Sequence, residues 1–178
     1  PSIEEGGVEK NLYIVSNYLS KKRININILT CNFDKKIKFN KKVNFIGPNN
    51  FFFIKNSRLF KTIVCIFYLL AYLLKCNSRT IVFSLQANLY AVIISKITST
   101  KIIVRANSSP VGWTKNNLKR IIYKFIINFA DDVMVNSEEF KKKFYKVFKI
   151  KPKCIFNPFD KSLVLKKLNN NATTFNKK

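Results

Sequence analysis

Two adjacent glycines, Gly6 and Gly7, stand between a short possible strand end at residues 1–3 and a stretch with helical periodicity. Apolar residues recur every three or four positions from Val8 to about Ser20, which predicts a helix. Glycines at such a turn let a ligand approach the backbone, and the N–H groups at the helix start attract anions. We therefore predict that Gly6 and Gly7 bind a diphosphate. An ordinary turn is the alternative, because neither GxGxxG nor a P-loop is present.

A second group of polar residues follows the apolar segment Lys101–Arg105, which is predicted to be a strand. The group consists of Arg105, Asn107, Ser108 and Ser109. Ligands of parallel sheets bind at the carboxyl ends of the strands, where these residues are expected to lie. Arg105 suits a phosphate or an acceptor through charge-assisted hydrogen bonds, and the others suit sugar hydroxyls. A solvated strand end and plain loop residues are the alternatives.

The composition excludes several kinds of chemistry. The 178 residues contain no histidine, which removes Ser-His-Asp triads, Cys-His pairs and histidine-ligated zinc. The four cysteines form no CxxC pair, so no metal site is predicted. The net charge of +24 attracts phosphates, nucleic acid or an anionic membrane. The joint excess of Lys, Asn, Ile and Phe is also typical of an AT-rich genome, which would raise the charge whatever the function.

Predicted helices and strands alternate along the chain, which favours an α/β fold: a Rossmann-like parallel sheet with helices on both faces. The apolar stretch Ile63–Leu74 is shorter than the roughly 20 residues of a bilayer span. It predicts a core helix, with a membrane-facing helix as the alternative. The predicted helices are Val8–Ser20, Arg58–Lys75, Ala87–Ile97, Lys115–Ala130 and Ser137–Phe148, and the predicted strands are Ile26–Thr30, Val43–Ile46, Thr80–Ser84, Lys101–Arg105, Asp132–Asn136 and Lys153–Phe156.

Four segments resemble, in order, motifs of glycosyltransferase family 4. Residues 1–10 (PSIEEGGVEK) are similar to the family's opening strand, Gly-Gly turn and glutamate. Residues 102–110 (IIVRANSSP) resemble the strand and loop on its acceptor side, and residues 130–137 (ADDVMVNS) resemble its "AD" strand. Residues 153–160 (KCIFNPFD) resemble the "NP" passage that links its two domains.

The resemblance implies one half of a two-domain GT-B enzyme. Residues 1–160 would be the N-terminal acceptor-side domain with a truncated first strand, and residues 161–178 a linker toward a missing donor domain. The implied activity is that of a hexosyltransferase-type enzyme, with retaining transfer of a sugar from a nucleotide-sugar co-substrate to a glycan or lipid-linked acceptor. No metal or other cofactor is implied, and the fragment alone would be inactive.

The family also implies a place and a substrate-binding residue. The enzyme would build cell-surface polysaccharide, lipopolysaccharide included, in the cytoplasm or at the inner face of the cytoplasmic membrane. Many members carry a histidine after the middle strand, where this chain has Ser84-Leu85-Gln86. Any role of that histidine is therefore lost or passes to Gln86, which is the predicted acceptor-binding residue here. The resemblance assigns no catalytic residue.

Two other functions stay open. One is a basic nucleic-acid-binding module, which the scarcity of arginine beside lysine disfavours. The other is a non-catalytic peripheral membrane protein. Candidate membrane contacts are Lys21–Arg23, Phe51–Phe53 and Lys141–Lys143, with core packing and codon bias as the alternative explanation of these residues.

Overall fold

The computed structural model of the protein describes residues 2–3, 6–33, 39–48, 57–76, 79–108, 110 and 116–158. Five helices and eight strands lie within these ranges. They follow one another as β1 (Ser2–Ile3), α1 (Gly7–Lys21), β2 (Ile26–Leu29), β3 (Asn32–Phe33), β4 (Val43–Ile46), α2 (Arg58–Leu73), β5 (Ile81–Ser84), α3 (Asn88–Ile97), β6 (Lys101–Ala106), α4 (Asn117–Ile127), β7 (Asp132–Val135), α5 (Glu138–Phe148) and β8 (Lys153–Cys154).

All strand pairs among the described residues are parallel, so the predicted Rossmann-like α/β fold is confirmed. Strands β5, β6, β7 and β8 form one four-stranded sheet in chain order. Strand β2 pairs with β4, and β3 pairs with β1. The sequence analysis missed β3, a two-residue strand too short to show any alternation. The segment 26–33 therefore pairs with two strands: residues 26–29 pair with β4, and residues 32–33 pair with β1.

Side-chain caps fix the starts of three helices. The Ser137 side chain accepts a hydrogen bond from the Phe140 N–H at 3.1 Å, as the sequence predicted for α5. Ser57 caps α2 in the same way. Asn116 accepts from the N–H groups of Leu118 and Lys119, so α4 begins two residues later than predicted.

The main hydrophobic core lies around β6 and β7, between α3 and α5. Ile102, Val104 and Val135 of the strands pack with Phe144 and Phe148 of α5, and all five are almost fully buried. Arg105, which points to the other side of β6, is buried as well. Both faces of this strand are therefore covered. A smaller cluster of Ile3, Ile28 and Val43 joins β1, β2 and β4.

Several apolar residues that the sequence would place inside are exposed. Helix α2 buries Cys65 and Leu73 but presents Phe67 and Leu74 to solvent, so it is a core helix on one side only. In β5, Ile81 and Phe83 are exposed, although a continuous apolar strand is expected to be covered on both faces. Among the described residues, no helix combines the length and apolarity that a bilayer crossing requires.

Candidate functional site

The carboxyl ends of parallel strands place most of the predicted site residues along one edge of the fold. We call this edge the strand-end rim. It comprises the N-terminus of α1 and the residues that follow β5, β6, β7 and β8, namely Gly6–Glu9, Ser84–Asn88, Arg105–Ser108, Asn136 and Ile155–Asn157.

Gly6 and Gly7 form the start of α1, as predicted, but their surroundings differ. Gly6 is the N-cap in an extended conformation, and a Cβ atom there would collide with the Glu9 carboxylate. Around Gly7, a Cβ atom would meet nothing within 4 Å. An anion at Gly6 would lie beside the Glu9 carboxylate, whereas the Cβ position of Gly7 has no described atom within 4 Å. The geometry therefore favours Gly7 over Gly6 as a diphosphate contact, and the binding role stays a prediction.

Gln86 joins the loop after β5 to α1. Its Nε2 donates a hydrogen bond to Glu9 Oε1 at 3.0 Å, across 77 residues of sequence. Sequence reasoning selected Gln86 but missed Glu9 as its partner, although Glu9 belongs to the quoted Gly-Gly motif. This contact ties the predicted acceptor and diphosphate sides of the rim together.

The loop that carries Gln86 is held in a strained conformation. Ala87 has a φ of 54°, in the left-handed region, which costs an alanine roughly 1–2 kcal/mol. Ser84 Oγ lies 2.7 Å from Asn88 Oδ1, and Asn88 Nδ2 donates to the carbonyl oxygen of Arg105 at 3.1 Å. These bonds fix the loop to β6. Strain of this kind, held by surrounding contacts, is typical of functional loops.

Arg105 is buried, so the alternative of a solvated strand end is wrong. Its Nη2 donates to the Ile155 carbonyl at 3.1 Å and to Asn157 Oδ1 at 2.9 Å. Asn157 Oδ1 also accepts from Asn11 Nδ2 at 3.0 Å. Burial lowers the pKa of the Arg105 guanidinium. Arg105 therefore fastens the segment after β8 to the sheet, and its predicted acceptor contact stays a prediction.

The loop after β6 carries the remaining predicted residues. Asn107 Nδ2 donates to the Leu85 carbonyl at 2.9 Å, which joins this loop to the one after β5. Ser108 is exposed. Ser109 lies outside the described residues, so its place at the rim stays a prediction.

Three buried polar atoms on the rim have no hydrogen-bond partner among the residues that the structure describes. They are Arg105 Nε, Asn107 Oδ1 and Asn136 Oδ1, at the ends of β6 and β7. Such atoms are few in proteins and usually face a water, an ion or a ligand. Sequence reasoning marked the loop that begins at Asn136 but did not choose that residue for the site.

A narrow cleft lies between α1 and the ends of β5 and β6. It is lined by Asn11, Leu12, Val15, Phe83, Leu85 and Arg105. Its volume of about 20 Å³ admits little more than one water molecule. A sugar would not fit inside this cleft. In the part of the chain that the structure describes, no group of three His, Cys, Asp or Glu side chains could hold a metal ion.

The predicted site residues are hydrogen-bonded mainly by asparagine side chains that sequence reasoning did not select. Asn157 was visible as part of the "NP" segment, but Asn11 and Asn88 carry no motif. In the "AD" segment, Asp131 Oδ2 accepts from the Ile102 N–H at 2.8 Å and from Lys96 Nζ at 3.1 Å. That aspartate therefore fixes the β6–β7 register and has a structural role.

Comparison with known proteins gave no family assignment. No protein-family model matches the chain, and no curated protein sequence matches it significantly.

Proposed function

We propose that the chain is the acceptor-side domain of a retaining glycosyltransferase of family 4, one half of a GT-B enzyme. One observation carries the proposal. Residues of three of the motifs, far apart in sequence, lie on a single rim: Arg105 bonds Asn157, and Glu9 bonds Gln86 of the loop after β5. Asn107 Oδ1 and Asn136 Oδ1 on the rim also have no partner within the described ranges, and a ligand could satisfy these polar atoms.

The proposed chemistry follows from the charges that develop during sugar transfer. The transition state resembles an oxocarbenium ion, while negative charge grows on the departing diphosphate. The N-terminus of α1 at Gly7 would stabilise that charge electrostatically. Gln86, Asn107, Ser108 and Ser109 would hydrogen-bond the acceptor hydroxyls. Arg105 would act mainly by fixing the rim, and no residue is assigned as catalytic.

The proposal includes partners outside this sequence. A C-terminal domain would bind the nucleotide sugar, which is a co-substrate, and the reaction would need no metal or other cofactor. The acceptor would be a glycan or a lipid-linked glycan of a cell-surface polysaccharide such as lipopolysaccharide, at the cytoplasmic side of the membrane.

The nucleic-acid-binding module remains the alternative, and the net charge of +24 is the observation that favours it. The rim offers it little support, because Arg105 is buried and its guanidinium bonds within the chain. Retention of a nucleic-acid probe at physiological salt, together with absence of sugar transfer, would favour this alternative.

The test uses Gly7, where an added Cβ atom would meet no described atom within 4 Å. In the product of the complete reading frame, Gly7→Trp should block the approach of the diphosphate and reduce transfer at least 100-fold. Gly7→Ala, the matched control, should retain most of the activity. Transfer is measured by mass spectrometry with a panel of nucleotide sugars and a lipid extract as acceptor. Equal activity of the two variants would remove Gly7 from the site, and turnover by residues 1–178 alone would contradict the two-domain proposal.

A further inference from the structure

Helix α4 turns an apolar face toward solvent. Six apolar residues recur at helical spacing from Leu118 to Phe129, but only Ile126 of these six packs against the core. We call the remaining residues the α4 face, and each has about half or more of its surface exposed. They are Leu118, Ile121, Ile122, Phe125 and Phe129, at 66%, 63%, 46%, 63% and 48% exposure.

The opposite side of the helix packs against the main hydrophobic core. Ile127 is fully buried, and Tyr123 and Ile126 pack against the main core. The exposed side chains recur at helical spacing, and the rings of Phe125 and Phe129 meet edge to face at 4.9 Å. The α4 face is therefore a fixed ridge of the folded protein.

The neighbouring helices extend the apolar surface. Helix α3 contacts α4 on one side and α2 on the other. Helix α3 exposes Ile93 and Ile97, and α2 exposes Leu59 and Phe67. Proteins rarely leave so many large apolar groups in water unless the surface meets a partner or a membrane.

Charge identifies the occupant that fits best. Helix α4 carries Lys119, Arg120 and Lys124 and no acidic residue. All nine acidic residues of the chain lie outside residues 35–130, the stretch that contains α2, α3 and α4. A second copy of the chain brings another +24 charge and would be repelled. An anionic bilayer attracts the lysines and arginine and accepts the apolar ridge.

We propose that the α4 face docks on a bilayer that contains anionic phospholipid. The helix lies parallel to the membrane plane, its apolar side chains enter the interface, and Lys119, Arg120 and Lys124 contact lipid phosphates. This inference does not depend on sugar transfer.

The membrane contacts that the sequence suggested have less support among the described residues. On α5, Lys141 and Lys143 form ion pairs with Glu138 and Glu139, and Phe144 and Phe148 of that helix are buried. Beside Lys21–Arg23, the exposed apolar companions are Tyr18 and Ile24. Phe51–Phe53 lies outside the described residues.

The test measures co-flotation of the full chain with vesicles. The wild type should bind vesicles of phosphatidylcholine with 30% phosphatidylglycerol at least tenfold more tightly than pure phosphatidylcholine. Phe125→Asp should weaken that binding at least tenfold, because it places a charge within the apolar ridge. Ile24→Asp, the matched control at another exposed isoleucine, should bind as the wild type does. Circular dichroism and thermal unfolding show whether each variant is folded, and Phe125→Ser replaces Phe125→Asp if the latter is not.

Several outcomes would overturn the proposal. These are absence of binding to the anionic vesicles, equal binding by the Phe125 variant and the wild type, and loss of binding by Ile24→Asp alone. A wild-type dimer in lipid-free solution that Phe125→Asp dissociates, without vesicle binding, would assign the α4 face to a second copy instead.

Discussion

Helices α4 and α5 have nearly the same design and opposite surroundings. Each has 11 residues and an apolar face. Each also contributes to a pair of phenylalanines four positions apart that meet edge to face: Phe125 of α4 with Phe129, two residues past the helix end, and Phe144 with Phe148 in α5. The ring centroids are 4.9 Å apart in the first pair and 5.0 Å apart in the second. Phe125 and Phe129 near the end of α4 are exposed, whereas Phe144 and Phe148 of α5 are fully buried. Periodicity therefore reveals an apolar face but not the surface that this face meets.

Charged residues account for part of the difference. The outer side of α5 carries Glu138 and Glu139, each paired with a lysine, so that side stays in water and the aromatic side packs inward. Helix α4 has apolar residues on both sides, and the core takes Ile127 and Tyr123. The wider apolar side of α4 is therefore exposed to solvent.

The largest expected effect is a difference in the free energy of unfolding between variants of the two phenylalanine pairs. Phe144→Ala removes a buried ring and should lower the free energy of unfolding by about 3–5 kcal/mol. Phe125→Ala removes an exposed ring and should change it by about 0.5 kcal/mol or less. Urea unfolding followed by circular dichroism measures both. Similar losses for the two variants would show that the α4 face is buried in solution.

A smaller effect tests whether the two helices depend equally on their caps. Ser137→Ala and Asn116→Ala each remove a side-chain acceptor at a helix start, and each should cost about 1 kcal/mol of stability. The same urea experiment measures this loss. A cap effect at Ser137 with none at Asn116 would mean that the first turn of α4 is not formed in solution.

The smallest effect concerns Asp131, which connects the end of α4 to the sheet. The Ile102 N–H, followed by Lys96, lowers the pKa of the Asp131 carboxyl below its ordinary value of 3.8. Because the folded pKa is the lower one, this stabilisation is present above pH 3.8 and disappears as the pH falls through the folded pKa. The side chain is 40% exposed, so screening reduces the effect, and Asp131→Asn should cost about 0.5 kcal/mol at pH 7.

Measuring the stability of Asp131→Asn and the wild type over a range of pH tests whether the ionised carboxylate is the cause. The stability difference between Asp131→Asn and the wild type should begin to shrink as the pH falls below 3.8 and should vanish once the pH is below the folded pKa. A difference that stays constant from pH 7 to pH 3 would contradict an ionised carboxylate as its source.

Local signals in the sequence predicted much of the fold. Ser137 followed by two glutamates indicated the start of α5, and the apolar runs at β6 and β7 indicated buried parallel strands. Such features depend on neighbouring residues alone. Strand β3 was missed because Asn32 and Phe33 pair with β1 across the chain, and a two-residue strand has no period.

The site was less predictable, because its contacts join distant residues. Gln86 and Glu9 are 77 positions apart, and Asn157 and Asn11 are 146 apart. Motifs placed Gln86, Arg105 and Asn107 at strand ends, but they could not show that Arg105 is bonded within the chain. The exposed α4 face was hidden for the same reason, since only the packed neighbours determine which side of a helix is covered.

The most direct test of the central claim is the ratio of transfer rates between Gly7→Ala and Gly7→Trp in the product of the complete reading frame. We predict a ratio of at least 100, because the space in front of the α1 N-terminus would hold the departing diphosphate. A ratio near 1 in an active enzyme would contradict sugar transfer at the strand-end rim.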